Sequence, residues 1–205
     1  RTATFTPGRD AARKEASKLN VPRIGVRFRL PASMNQVEYF GRGPAENYLD
    51  RNAGSMIGLY KSTAEELYFP YVRPQENGHH TDTRWVSLST GKKGLLIQAD
   101  NTIGFNALRN SIEDFDDEEA TGLPRQWSNF TPEQVANHDE AAAKNVLRRQ
   151  HHINDITPRD FVEVCVDLKQ QGVAGYDSWG SRPEPAYTLP ANREYNWGFT
   201  LIPLK

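Results

Sequence analysis

The feature that most limits how this chain can fold is strict alternation of apolar residues at a period of two. Ile24, Val26, Phe28 and Leu30 alternate with Arg23, Arg27 and Arg29. Phe161, Val162, Val164, Val166 and Leu168 alternate with Glu163 and Asp167, and Tyr195, Trp197, Phe199 and Leu201 repeat the pattern near the end. Successive side chains of a strand point to opposite faces, so this period predicts β-strands packed on one side. The chain carries 15 Gly and 13 Pro, scattered between these segments rather than clustered. Scattered breakers suit an all-β sandwich with many turns better than a helical bundle.

Shorter segments extend the pattern. Strands are predicted over Arg1–Phe5, closed by Pro7 and Gly8, and over Gln36–Phe40, Ser55–Tyr60, Ile103–Leu108 and Val146–Ile156. Thr83–Ser89 and Gly94–Ala99 read as a hairpin across Thr90-Gly91-Lys92-Lys93. Arg9–Asn20 is charged and Ala-rich, which predicts a solvated connector. Ala64–Leu67 predicts one helical turn capped by Ser62. Thr131-Pro132-Glu133-Gln134 is a helix start with a capping Thr and Pro at the first position. The expectation is one mainly antiparallel β-sandwich domain over residues 1–205, with 1–20 as edge strand and connector and at most two or three short helices.

Charge is nearly balanced, with 25 Lys and Arg against 26 Asp and Glu. That argues against a nucleic-acid partner, which calls for a basic surface. No apolar run approaches the ~20 residues that a membrane-crossing helix needs. No signal peptide is visible, and a first residue that is Arg and not Met reads as an excised piece of something longer. The single cysteine, Cys165, lies in a predicted strand and reads as a small buried hydrophobe.

Several stretches invite a chemical reading and a plainer one. The pairs His79-His80 and His151-His152 would point to opposite faces of a strand, so neither pair suits a single metal ion. The acidic run from Ile112 to Glu119 lacks the Gly turn and spaced ligands of a calcium loop and predicts a solvated loop. Gly41–Arg51 and Tyr68–Gly78 are rich in polar residues. Glu46, Asn47, Arg51, Arg73, Glu76 and Asn77 are expected to hold loops, with Asn47 and Asp50 capping backbone N–H groups. Nothing in the spacing pairs two carboxylates as glycoside hydrolysis requires.

Gly175-Tyr176-Asp177-Ser178-Trp179-Gly180-Ser181 follows the strand at Phe161. Glycines there break the strand and leave a loop bearing one large aromatic. An indole face stacks on the C–H face of a pyranose while its N–H still donates, so Trp179 suits sugar binding. An ordinary buried aromatic is the alternative.

Asp177-Ser178-Trp179 in its Gly-rich loop resembles the last signature of the C-terminal, small-chain domain of family 2 β-galactosidases. Three more blocks match in order: Val21-Pro22-Arg23-Ile24-Gly25-Val26, Gly41 through Arg51, and Pro70 through Gly78. Four ordered blocks are far more specific than one. The resemblance runs from about Asn20 to the end and is loosest between Asn110 and Arg159, where the insertion-like stretch Asp139–Lys144 departs from the family.

The resemblance implies a large antiparallel supersandwich of the galactose-mutarotase-like class, truncated at its N-terminus. It implies that Trp179, with Asp177 and Ser178, completes the rim of a pocket for terminal β-D-galactosides such as lactose. No catalytic residue is implied here, because both catalytic glutamates of the family come from a separate TIM barrel. No cofactor is implied in this domain; magnesium and sodium belong to other domains of the full enzyme. The expected partners are the galactoside and the remaining domains of the same chain, in a homo-oligomer, with no nucleic acid and no membrane. The compartment stays open between bacterial cytoplasm and periplasm. A stand-alone carbohydrate-binding module and an aldose epimerase remain as alternatives. For the epimerase, His79 or His80 with Glu76 is the best acid and base pair.

Overall fold

A computed structural model describes residues 2–5, 20–115, 153–177 and 180–205. The chain forms two compact units: Arg1–Tyr68 with Gly78–Arg109 and Asp160–Lys205, and Phe69–Asn77 with Asn110–Arg159.

Among the described residues, the first unit holds eight antiparallel strands: β1 (Thr2–Phe5), β2 (Arg23–Pro31), β3 (Gln36–Gly43), β4 (Met56–Thr63), β5 (His80–Ser89), β6 (Gly94–Leu108), β7 (Phe161–Gln170) and β8 (Tyr195–Leu204). This is the mainly antiparallel, β-sandwich-like class that the alternation predicts. Strand order along the main path is β1-β8-β6-β5-β3-β4, with β7 and then β2 branching from β6.

The branch arises on β6, which spans 15 residues. One edge of β6 pairs with β5, from Ser89↔Gly94 to His80↔Phe105. The other edge is shared: Gly94–Ala99 pairs with β8, and Gly104–Leu108 pairs with β7. Two separate strands were expected here, over Gly94–Ala99 and Ile103–Leu108. Asp100, Asn101 and Thr102 look like a break in the sequence. They are extended because they only cross from one partner strand to the next. The β5–β6 register shifts on both sides of Thr83, where Asp82 has φ 52°. Arg42 fastens that irregular turn with an ion pair to Asp82 at 2.5 Å.

The core is one face of the sheet. Val37, Tyr39, Val86, Leu88, Ile97, Phe105, Ala107, Val162, Val164 and Val166 are all at most 2 % exposed. Register puts Tyr39 opposite Val86, Val86 opposite Ile97, and Phe105 opposite Val166. Burying a Val, Leu, Ile or Phe side chain in this way contributes about 1.5–3 kcal/mol. The rings of His80 and Phe105 each lie 5.0 Å from that of Tyr39, which closes the row.

Other expectations change at the ends of elements. The turn after β4 is capped by Thr63, not Ser62: Thr63 Oγ1 accepts the Glu66 N–H at 3.2 Å, and Glu66 Oε2 accepts the Thr63 N–H at 3.1 Å. This reciprocal pair is a capping box, which the Thr-x-x-Glu spacing satisfies and Ser62 does not. Ile153–Asp155 is a 3-10 turn where a strand was expected, and Pro185–Tyr187 is another. In the second unit, the acidic run opens as a capped turn, Ile112–Asp114, rather than a solvated loop. Asp114 is buried there and bridged by Arg159 Nε at 3.1 Å to both carboxylate oxygens. The connector at 9–19, the helix expected from Pro132 and the second histidine pair lie outside the described residues.

Candidate functional site

The Val21 block, the polar turn after β3 and the chain leaving β7 meet at one end of the first unit. Pro22 accepts the Gln171 N–H at 2.9 Å, and the Val21 N–H donates to Leu189 at 2.7 Å. The turn after β3 is tied to the chain entering β5. Asn47 is fully buried and uses both ends of its amide. Its Nδ2 donates to the carbonyls of Arg42 and Ala45, each at 3.1 Å. Its Oδ1 accepts from the Thr81 N–H at 2.9 Å and the Thr81 hydroxyl at 2.6 Å. Glu46 accepts the Gly78 N–H at 2.6 Å on one oxygen and pairs with Arg51 at 2.6 Å through the other. The structural role expected for Glu46, Asn47 and Arg51 is what these bonds describe. In the second unit, Asn77 donates to the carbonyl of Gln75 at 3.2 Å.

Beneath this turn lies a buried polar cluster. Asp167 on β7 is 1 % exposed and pairs with Arg23 Nε at 3.0 Å. Arg23 Nη2 donates to Asn106 Oδ1 at 2.5 Å and to Gln170 Oε1 at 2.7 Å. Asn106 Oδ1 also lies 2.8 Å from His79 Nδ1. An oxygen that already accepts from Arg23 must accept from His79 too, so the His79 proton sits on Nδ1. Burial and then the Arg23 charge lower the His79 pKa from 6.5 to about 3, so the ring is neutral. His80 is buried too, and burial lowers its pKa against the pull of the Pro44 and Gly78 carbonyls. Further along β7, Glu163 is 3 % exposed and takes Arg27 at 2.9 Å and Arg29 at 3.1 Å.

Sequence reasoning missed this cluster. The alternation of β7 shows Glu163 and Asp167 as polar positions but not that they are buried against arginines of β2. One signal was available: glycine inside a strand often marks a close approach. A Cβ at Gly104 would lie 2.5 Å from the His79 ring, and one at Gly25 would lie 2.6 Å from the Val166 carbonyl and collide with the Asp167 carboxylate.

The Gly-rich loop leaves β7 at this same end. The Gly172 N–H donates to Tyr187 at 2.8 Å. Asp50 then accepts the Val173 N–H at 3.1 Å and the Ala174 N–H at 2.8 Å, one on each oxygen. Asp177 is exposed, and its Oδ1 accepts the Ser181 N–H at 3.2 Å. Ser181 Oγ accepts the Gly175 N–H at 3.3 Å, and the Tyr176 hydroxyl donates to the Arg182 carbonyl at 2.7 Å. Ser178 and Trp179 lie outside the described residues. The described part of the loop is thus exposed and internally braced, and it follows a strand whose base is buried.

Comparison with known proteins identifies the lineage. Residues 3–201 match the family described as beta galactosidase small chain. The chain belongs to that family. It is 35 % identical over 185 residues to a β-galactosidase of Priestia megaterium, covering 90 % of this chain and 15 % of that protein. It is 40 % identical over 111 residues to a β-galactosidase of an Arthrobacter species, covering 51 % and 11 %. A β-galactosidase of Vibrio cholerae is 29 % identical over 181 residues, covering 88 % and 14 %. The chain therefore spans about a seventh of the length of such relatives.

The geometry of this small-chain member also bears on acid–base chemistry. His79 and His80 are 1 % and 0 % exposed, which withdraws both from the acid and base roles that an epimerase would give them. The buried carboxylates Glu163, Asp167 and Asp114 each face arginine.

Proposed function

We propose that this chain is the C-terminal domain of a longer β-galactosidase that hydrolyses terminal β-D-galactosides of the lactose type. In that protein the loop from Gly175 to Ser181 completes the rim of the active-site pocket. Trp179 is the stacking platform for the entering sugar or its aglycone, and Asp177 and Ser178 brace it. The observation that carries the reading is the small-chain family match, joined to an exposed loop that is held internally by Asp177. Chemistry is supplied by the two glutamates of the separate barrel, so the isolated chain hydrolyses nothing. Magnesium and sodium, where the full enzyme uses them, are held by its other domains. The full-length protein is a homo-oligomer.

A platform that touches the substrate before reaction lowers KM more than it raises kcat. Loss of one stacking face costs about 1–3 kcal/mol of binding. Trp179→Ala in the full-length enzyme is expected to raise KM for a chromogenic galactoside by about five- to a hundredfold, with an unchanged melting temperature. Unchanged kinetics, or a lowered melting temperature without a KM effect, would return Trp179 to the role of an ordinary packing residue.

A further inference from the structure

We infer that Asp50 is a positioning residue, whose carboxylate sets the direction in which the Gly-rich loop leaves the sheet; its consequence for galactoside binding rests on the function proposed above. The carboxylate receives two consecutive N–H groups, from Val173 and Ala174, at 3.1 and 2.8 Å. Successive backbone N–H groups turned to one side form a concave surface that suits an anion. Ala174 has φ 53° and Gly175 has φ 84°. Left-handed backbone is unfavourable for alanine and persists where surroundings hold it. Here the Asp50 carboxylate is what the turned N–H groups point at.

Two further observations set Asp50 apart from the other loop bonds. Gly172 is buried, and a Cβ there would lie 2.5 Å from the Asp50 carboxylate carbon, so a side chain at this position displaces the carboxylate. Asp50 is also in a fixed turn: Tyr48 and Arg51 exchange backbone bonds at 3.4 and 2.8 Å, and Arg51 is tied to Glu46. By contrast, the described bonds beyond Gly175 join loop residues to one another, as in Ser181 to Asp177. Those bonds give the described part of the loop its shape. Asp50 fixes where that shape is aimed, by joining it to a turn more than a hundred residues earlier in the chain.

The test uses the full-length enzyme with Asp50→Ala, Gly172→Ala and the double variant, each in the native and Trp179→Ala backgrounds. Asp50→Ala is expected to raise KM by about five- to a hundredfold, because misplacing a substrate-contacting group costs binding in that range. Its kcat should stay within about threefold, since the lost contacts act on the ground state. Gly172→Ala should raise KM similarly by displacing the carboxylate. The double variant should be no worse than Asp50→Ala, because the collision partner is gone; that non-additivity marks direct coupling. Little further effect is expected in the Trp179→Ala background. Amide exchange at Val173 and Ala174 should quicken at least about tenfold in Asp50→Ala. If Trp179→Ala raises KM and Asp50→Ala does not, the inference is overturned and the functional reading stands. If Trp179→Ala leaves KM unchanged, the functional reading falls, and exchange at Val173 and Ala174 decides whether the clamp exists: faster exchange supports it and unchanged exchange overturns it. Should Asp50→Ala fail to fold, Asp50→Asn keeps one accepting oxygen, and an intermediate KM supports the clamp while a native KM overturns it.

Discussion

Asp167 and Asp50 are two carboxylates that each reach across the chain, yet they are used in opposite ways. Asp167 is buried and faces the Arg23 guanidinium within a cluster that includes Asn106 and His79. Asp50 is half-buried and takes two backbone N–H groups where the Gly-rich loop begins. The contrast lies in solvent. A charge removed from water must be fully matched, so disturbing it costs several kcal/mol, whereas a charge at the surface can be replaced by water at little cost. The buried cluster therefore contributes to holding the sheet together, and the half-exposed clamp contributes mainly to geometry.

The largest effect expected is at the buried end. Asp167→Ala leaves the Arg23 guanidinium without its carboxylate, and removal of one partner of a buried pair costs about 3–5 kcal/mol. Urea unfolding should show a lower midpoint with an unchanged slope. A loss below about 1 kcal/mol would place Asp167 with the surface carboxylates and erase the distinction.

Acid comes next. His79 titrates at 6.5 when unfolded and at about 3 when folded. Between those values the unfolded chain binds a proton that the folded chain excludes. Stability is thus full above pH 6.5 and is lost as pH falls from 6.5 toward 3, by at most ~1.4 kcal/mol per pH unit for this group. His80 is shifted in the same direction by burial and adds to the slope. Melting temperature should fall steadily from pH 7 to pH 4, and His79→Gln should flatten the slope. A flat profile in the native protein would mean that water reaches His79.

How far the sequence foretold this arrangement depends on how local each cause is. The strands of the sheet were legible because alternation is a local property, as in β3 and β7. The polar turn at Glu46 and Asn47 was legible as structural because buried amides and carboxylates need partners. What stayed hidden depends on pairing distant segments. Arg23 meets Asp167 only because β2 lies beside β7 in one register. Asp50 was read as a capping residue, and it caps, but the N–H groups it receives lie 123 and 124 residues away. The continuity of β6 was hidden for a similar reason, since Asp100–Thr102 is extended by its neighbours rather than by its own pattern.

The smallest effect should come from Asp177, and it sharpens the comparison most finely. Its side chain is exposed and takes the Ser181 N–H at 3.2 Å, in a loop where water can replace it. Removing a surface hydrogen bond of this kind leaves no buried group unsatisfied, so Asp177→Ala should change stability by no more than about 0.5 kcal/mol. The loop should nevertheless loosen, with faster amide exchange at Ser181 and unaltered exchange at Val173 and Ala174, which Asp50 still holds. In the full-length enzyme KM should rise, but by less than in Asp50→Ala, because a loosened loop still samples the right direction while a misdirected one does not. Equal KM effects for the two variants would mean that shape and aim are one property of this loop. A stability loss above about 1 kcal/mol would mean that Asp177 belongs with the buried carboxylates after all.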